Sequence, residues 1–369
     1  MRAHRSLAGL LAAIYLLLLV YASLYPFDGW RWPAGAGLDE LLALKWPPWR
    51  NRFDEWANLL GYLPFGAMLF AMVVRNGGST PKALLLAVLA PAGLSYAMEV
   101  LQHFIPQRFP SMRDWVNNSV GALLGALLAW LAQATGWLDE WHRLRERWFE
   151  PRSTPAVALL LLWPVGLLFP TAVPLGMGQI GPELRGLAEW AIAGTPLASD
   201  LAALLEQRPG QHPPLNAIRE ALAIGLGLLA PCLLASVITR PGPRRWILAP
   251  GAALLALVVM TLSTALNFGP DHAGTWMSAH TLKPLAAATL AGLLLAHAGP
   301  RLCASLGLVA LTAMVTIVAE APSDPYYAAS LQGWEQGRFI RFHGLAHWIG
   351  LLWPYAAIAW LLARLTRRS

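Results

Sequence analysis

The sequence predicts an all-α integral membrane protein, a polytopic helical bundle of about ten transmembrane helices. Hydrophobic residues make up 56% of the 369 positions and charged residues only 13%, against about a quarter charged in a soluble domain. Apolar runs of roughly 20 residues, enough to cross about 30 Å of hydrocarbon as a helix, recur along the chain. These runs are apolar on every face, which excludes the alternating pattern of a membrane β-barrel.

The first span covers residues 7–25 and follows a short basic start that contains Arg2 and Arg5. A cleaved signal peptide is the alternative interpretation. The apolar run is longer than a signal-peptide core, however, and no clear small-residue cleavage site precedes Tyr25 and Pro26. We therefore expect the first helix to be retained, with a short helix over residues 38–44 lying along the outer surface after it.

The other nine spans follow from the same length and hydropathy criteria. The ten predicted spans lie at about 7–25, 55–74, 83–104, 115–136, 155–175, 216–238, 246–268, 281–298, 302–320 and 344–363. A basic, acidic and aromatic stretch separates the first four from the last six. The sequence thus predicts a four-helix membrane domain at 1–137, a cytoplasmic linker at 138–154 and a second membrane domain of about six helices at 155–369.

The distribution of basic residues predicts the orientation in the membrane. Arginine and lysine cluster in alternate connections, as in the pair Arg75 and Lys82 and the run 143–152, whereas the opposite connections are longer and hold most of the acids. By the positive-inside rule, both termini are cytoplasmic in a bacterial inner membrane. The formal charge of +7 thus indicates topology and not nucleic-acid binding, since the basic residues form no aromatic-studded polar surface.

Polar side chains concentrate at three helix ends in the first four spans, all on the predicted exterior side. Charged groups are costly inside a bilayer, so residues of this kind require partners or a purpose. The loop between spans three and four is short, so these two helices are neighbours and their polar ends can converge. The predicted polar site consists of Asp54, Asn58, Glu99, Gln102, Arg108, Asp114 and Asn118.

Two interpretations of this set remain open. In the first, Glu99 and Asp114 pair with Arg108 in a polar clasp that only holds the four helices together. In the second, the arginine binds an anionic headgroup and a carboxylate with a raised pKa acts as an acid or a base.

The ordered polar motifs resemble the VanZ-like membrane family over residues 7–136. The resemblance rests on Asp54-xxx-Asn58, Pro64-Phe65-Gly66, Glu99-xx-Gln102, Arg108 and Asp114-xxx-Asn118-xx-Gly121-xxx-Gly125. The family prototype is associated with low-level resistance to the glycopeptide antibiotic teicoplanin. The resemblance implies a small helical membrane domain in which Glu99, Gln102, Arg108, Asp114 and Asn118 are signature positions. Family members often carry a basic residue and a histidine near the start of the second span, whereas this chain reads Arg52-Phe53-Asp54-Glu55-Trp56-Ala57-Asn58 there.

Three hypotheses for function follow. The first is an envelope protein that recognises an amphipathic, glycopeptide or lipid-linked molecule at the outer leaflet. The second is a membrane enzyme that acts on a lipid-linked group with Glu99 as acid or base. The third, a transporter, ranks last because the charges lie near span ends and not at the midplane.

The sequence suggests no cofactor and no metal. His343 and His347 are one turn apart and share a helix face, but no acid stands at a recognisable ligand spacing, so ordinary hydrogen bonds are expected. The lipid bilayer is the expected partner, and the sequence does not indicate an oligomeric state.

Overall fold

The computed structural model describes residues 7–24, 27, 29–33, 35, 37–48, 52–106, 108–151, 153–192, 195, 215–322 and 340–366. In this part of the chain the elements are thirteen α-helices and three short 3-10 helices, so the predicted all-α class is confirmed. Eight helices are long and apolar enough to cross a bilayer, and the shorter helical stretches Gly9–Leu24 and Thr154–Gly166 are also apolar. The chain is therefore a multi-pass membrane protein with eight to ten spans, which agrees with the prediction of about ten.

The chain divides into two compact units, Met1–Glu146 and Arg147–Ser369, called here the N-terminal and the C-terminal unit. The N-terminal unit contains α1 (Leu7–Leu24), α2 (Leu38–Leu42), α3 (Arg52–Arg75), α4 (Thr80–Gln102), α5 (Met112–Ala134) and most of α6 (Trp137–Trp148). The C-terminal unit contains α7 (Thr154–Gly166), α8 (Gly181–Ile192), α9 (Ala217–Ile238), α10 (Leu248–Phe268), α11 (Ala279–Leu294), α12 (Pro300–Ala319) and α13 (Ile340–Thr366).

Helices α3 and α5 form the closest contact of the N-terminal unit, and small residues make that contact possible. A Cβ atom added at Gly121 would collide with the carbonyl oxygen of Leu59, and one added at Gly125 would collide with that of Leu63. Because these pairs advance together along both chains, α3 and α5 run parallel. The two glycines thus allow a backbone approach of the kind seen in small-residue helix pairs of membrane proteins.

The faces of the N-terminal unit that point away from this contact carry large apolar side chains. Leu85, Leu89, Leu128 and Leu131 all expose more than half of their surface. A row of exposed leucines would be unfavourable in water but is matched by the acyl chains of a bilayer. The packed interior is instead built from small and aromatic residues such as Ala87, Ala126 and Phe70.

The fifth predicted span is shorter than expected. Helix α7 ends at Gly166, whereas the sequence predicted a continuous helix to residue 175. The following residues to Ile180 are not helical, and the helix α8 then lies in what was predicted to be an external connection. Apolar composition alone cannot show where a helix stops, because buried non-helical backbone carries the same apolar residues.

Candidate functional site

The predicted polar residues gather at one end of the N-terminal unit, where α1 and α4 end and α3 and α5 begin. Here this is called the polar end. Its side chains form two layers. The outer layer, at the helix termini, contains Glu55, Gln102, Arg108, Ser111 and Arg113. The inner layer, Asn58, Tyr62, Ser95 and Asn118, lies about 5–10 Å deeper, given a rise of 1.5 Å per residue along the helices.

Two outer-layer residues bind the last turn of α1. The amide nitrogen of Gln102 donates to the carbonyl oxygen of Ser23 at 3.0 Å, and the guanidinium of Arg108 donates to that of Ala22 at 3.0 Å. The last four carbonyl groups of a helix lack partners within the helix, and a cation there also offsets the negative end of the helix dipole. Gln102 and Arg108 thus cap α1 from a distant part of the sequence.

Glu99 connects the end of α4 to the start of α5. Only 4% of its surface is exposed, and its Oε2 atom accepts a hydrogen bond from the backbone N–H of Ser111 at 2.9 Å. Ser111 is the N-cap residue of α5, and its hydroxyl accepts from the backbone N–H of Asp114 at 3.3 Å. This arrangement satisfies N–H groups that a helix start leaves without partners.

The connection between α1 and α3 lies across the polar end. The Tyr96 hydroxyl donates to the carbonyl of Leu42 at 2.6 Å, and the backbone N–H of Met112 donates to the carbonyl of Lys45. The guanidinium of Arg113 lies 5.4 Å from the ring centre of Trp46 and 3.4 Å from the carboxylate of Glu55. These contacts hold the segment 37–48, which includes the short helix predicted from sequence, over the start of α5.

The inner layer is buried, and its hydrogen bonding is incomplete. The Asn118 amide nitrogen donates to the Ser95 hydroxyl at 2.9 Å, while its amide oxygen has no partner in the structure. The hydroxyl of Tyr62 faces the side chains of Ser95 and Ser23 but makes no hydrogen bond that meets the usual distance and angle limits. One turn before it, the amide nitrogen of Asn58 is also buried without a partner.

Asn117, next to the inner layer on α5, adds a second buried amide nitrogen and a fourth buried polar atom without a partner. A buried polar atom without a hydrogen bond costs about 1–3 kcal/mol, and native proteins contain few of them. Several such atoms so close together mark the inner layer as the part of the polar end with unused hydrogen-bonding capacity.

The seven sequence-predicted residues are therefore divided between different environments. Gln102, Arg108 and Asp114 lie in or beside the outer layer, and Glu99 lies between the layers. Asn58 and Asn118 belong to the inner layer, and Asp54 stands one turn before Asn58 on α3.

Sequence reasoning missed Tyr62 and the capping role of Ser111. Both had signals in the sequence. Tyr62 follows Asn58 by four residues and so extends the polar stripe of α3. The order Ser111, Met112, Arg113, Asp114 matches the helix-start pattern of a serine three residues before an acid.

The residues described by the structure contain no group of three or more His, Cys, Asp or Glu side chains that could hold a metal ion. The side chain of His343, named above, lies outside the described part.

The family model described as VanZ/LLP1 matches residues 12–133. No curated protein and no solved structure matches the chain. The matched region, roughly a third of the chain, is therefore a VanZ/LLP1 family domain, as the sequence motifs predicted. It includes the whole polar end, and further apolar helices follow it.

Proposed function

We propose that the inner layer of the polar end binds the polar head of an amphipathic molecule, either a lipid-linked group or a glycopeptide, at the outer leaflet. The observation that carries this proposal is the set of buried polar atoms without protein partners: the amide nitrogens of Asn58 and Asn117, the hydroxyl of Tyr62 and the amide oxygen of Asn118. Donors and an acceptor are both available, and none of these groups is charged. Hydroxyl and amide groups of a sugar or a peptide match such a set.

The outer layer contributes to this function by keeping the inner layer in place. Its groups bind helix termini, as with Gln102 and Arg108 on α1 and Glu99 on the start of α5. A polar pocket inside a membrane protein needs rigid walls, since a ligand gains affinity when the site is ordered before binding. The two interpretations drawn from the sequence then apply to different layers of the polar end. The outer layer is the clasp, and the inner layer is the binding site.

The proposed orientation places the polar end on the exterior side of a bacterial inner membrane, with both termini in the cytoplasm. The opposite end of the N-terminal unit carries Arg75, Lys82 and Arg145. Burial, with a further contribution from the nearby positive charge of Arg75, lowers the pKa of Arg145 below its ordinary value. A concentration of basic residues at one end of a short-looped bundle is typical of the cytoplasmic side.

The test compares variants at equal membrane abundance in a host that lacks its own copy of the protein. Tyr62→Phe and Asn58→Leu remove inner-layer donors, and Glu99→Gln removes the buried charge. Tyr15→Phe is the matched control, because the Tyr15 hydroxyl already donates to the Gly61 carbonyl at 2.8 Å. We expect the first three variants to change sensitivity to glycopeptide and other envelope-directed antibiotics, and the control to leave it unchanged. Wild-type sensitivity in all three would refute the proposal.

A second candidate function is enzymatic, with Glu99 as acid or base on a lipid-linked substrate. The observation that favours it is a carboxylate with only 4% exposure, a setting in which proton transfer is protected from water. A headgroup change in lipid extracts that appears with the wild type and disappears with Glu99→Gln supports catalysis. Lipid extracts identical for both proteins leave binding as the function.

A further inference from the structure

The C-terminal unit contains a buried stretch of non-helical backbone between α7 and α8, here called the 167–180 segment. Its carbonyl groups are bound by side chains from distant helices. The Leu168 carbonyl accepts from the Ser263 hydroxyl at 2.8 Å and from the Asn267 amide at 3.0 Å, and the Gly178 carbonyl accepts from the Tyr355 hydroxyl at 2.8 Å. At membrane depth, such backbone occurs only where protein surrounds it or where it lines a cavity.

The path of this segment is closely specified. Leu175 has a φ angle of 61°, a conformation that side-chain-bearing residues rarely adopt and that costs about 1–3 kcal/mol. Helix α9 approaches it at Gly227, where a Cβ atom would meet the Leu175 carbonyl oxygen at 2.5 Å. Strained backbone of this kind persists when its surroundings impose it and clusters at binding and active sites.

The segment lines a cavity of about 220 Å³ together with the start of α8 and part of α13. A single water molecule needs about 10–15 Å³ of such space, so the cavity has room for several water-sized groups. It is large enough for a small organic group.

The charged groups of the cavity are an acid and a histidine. The Oε1 atom of Glu183, in the first turn of α8, lies 3.4 Å from Nε2 of His347 on α13. The imidazole of His347 also stacks on Phe169, with ring centres 4.3 Å apart. No lysine or arginine is among the described residues that line this cavity. Glu183 is thus the carboxylate of a cavity whose described lining holds no permanently cationic side chain.

We propose that this cavity binds an organic ammonium group, in which Glu183 provides the opposite charge and Phe169 with His347 provides an aromatic wall. A partly buried carboxylate is stabilised by a cation, and an aromatic ring attracts an alkylammonium group. Gln179, which also lines the cavity, already uses its amide nitrogen in hydrogen bonds within the protein, since it donates to the carbonyls of Ala321 and Pro322. The ammonium group belongs either to a lipid headgroup or to a small free amine.

The experiment uses the full chain in nanodiscs. Calorimetry with choline and ethanolamine, in nanodiscs of phosphatidylglycerol alone, tests for a free amine. The uncharged isostere of choline, in which carbon replaces nitrogen, is the chemical control. Native mass spectrometry, in nanodiscs that also contain phosphatidylethanolamine, tests for a retained amine-bearing lipid. Binding of choline or ethanolamine in the calorimetry identifies a free amine as the ligand. Retention of phosphatidylethanolamine in the mass spectrometry identifies a lipid headgroup.

Glu183→Gln is expected to weaken binding or retention by at least about tenfold, because it removes a charge next to the ligand at constant shape. Glu189→Gln, an acid on α8 that does not line the cavity, is expected to behave as the wild type. Phe169→Leu should reduce choline binding and serves as a second variant if Glu183→Gln unfolds. The proposal is overturned if the uncharged isostere binds as well as choline, if Glu183→Gln binds like the wild type, or if neither arm shows binding.

Discussion

Tyr62→Phe tests whether the inner layer has unused hydrogen-bonding capacity. The Tyr62 side chain is 4% exposed and its hydroxyl has no partner in the structure. An unsatisfied buried hydroxyl costs about 1–3 kcal/mol, so its removal should leave stability unchanged or raise it by about 1 kcal/mol. Tyr15→Phe should lose about 0.6 kcal/mol, the average for a hydrogen bond between membrane helices, because the Tyr15 hydroxyl is bound to Gly61. Tyr62→Phe is therefore expected to be the more stable of the two variants.

The measurement is reversible unfolding of the full chain in mixed micelles, on protein washed free of co-purifying lipid, with helix content followed by circular dichroism. Lipid extract from the host is then added back. If Tyr62 contributes to ligand binding, the extract should stabilise the wild type more than it stabilises Tyr62→Phe. Tyr15→Phe should respond to the extract as the wild type does.

The reasoning is refuted if washed Tyr62→Phe protein loses at least as much stability as Tyr15→Phe. That result would mean that the Tyr62 hydroxyl is already bound in the protein. The inner layer would then be a structural part of the clasp, and the remaining unpartnered amides would be the only support for a ligand.

Three other substitutions follow from the packing. Gly125→Ala should destabilise the chain by about 1–3 kcal/mol in thermal unfolding, because the new methyl group meets the backbone of α3. Gly93→Ala is the control and should be neutral or stabilising, because Gly93 is a helical glycine with open space around it. Gln102→Leu should cost about 1 kcal/mol and accelerate amide exchange in the last turn of α1, which loses a cap. Arg245→Leu should cost about 3 kcal/mol, since this guanidinium is 2% exposed and binds two backbone carbonyls of the C-terminal unit.

Each of these predictions has an outcome that contradicts it. Equal melting temperatures for the Gly125 and Gly93 variants would mean that α3 and α5 adjust without cost. Uniform protection of α1 in the Gln102 variant would show that its last turn does not need the cap. For Arg245, a leucine variant as stable as the wild type would show that the guanidinium bonds do not contribute to stability.

The polar end explains why sequence reasoning could find the site residues but not divide them by role. The sequence assigned both Arg108 and Asn118 to one polar site at the exterior span ends. In the structure Arg108 binds the Ala22 carbonyl, whereas Asn118 lies in the inner layer with a free amide oxygen. The spacing of residues along one helix indicates which face they share, but their partners come from helices far away in the sequence.

The sequence by itself determined the all-α membrane class, the approximate spans and the VanZ-like region, because these depend on local hydropathy and on the order of motifs. Only the tertiary structure decided that α7 ends at Gly166, that a cavity forms beside Glu183 and His347, and which atoms of the polar end lack partners. The physical reason is that hydropathy acts residue by residue, whereas hydrogen-bond satisfaction and cavities depend on distances of a few ångströms between separate helices.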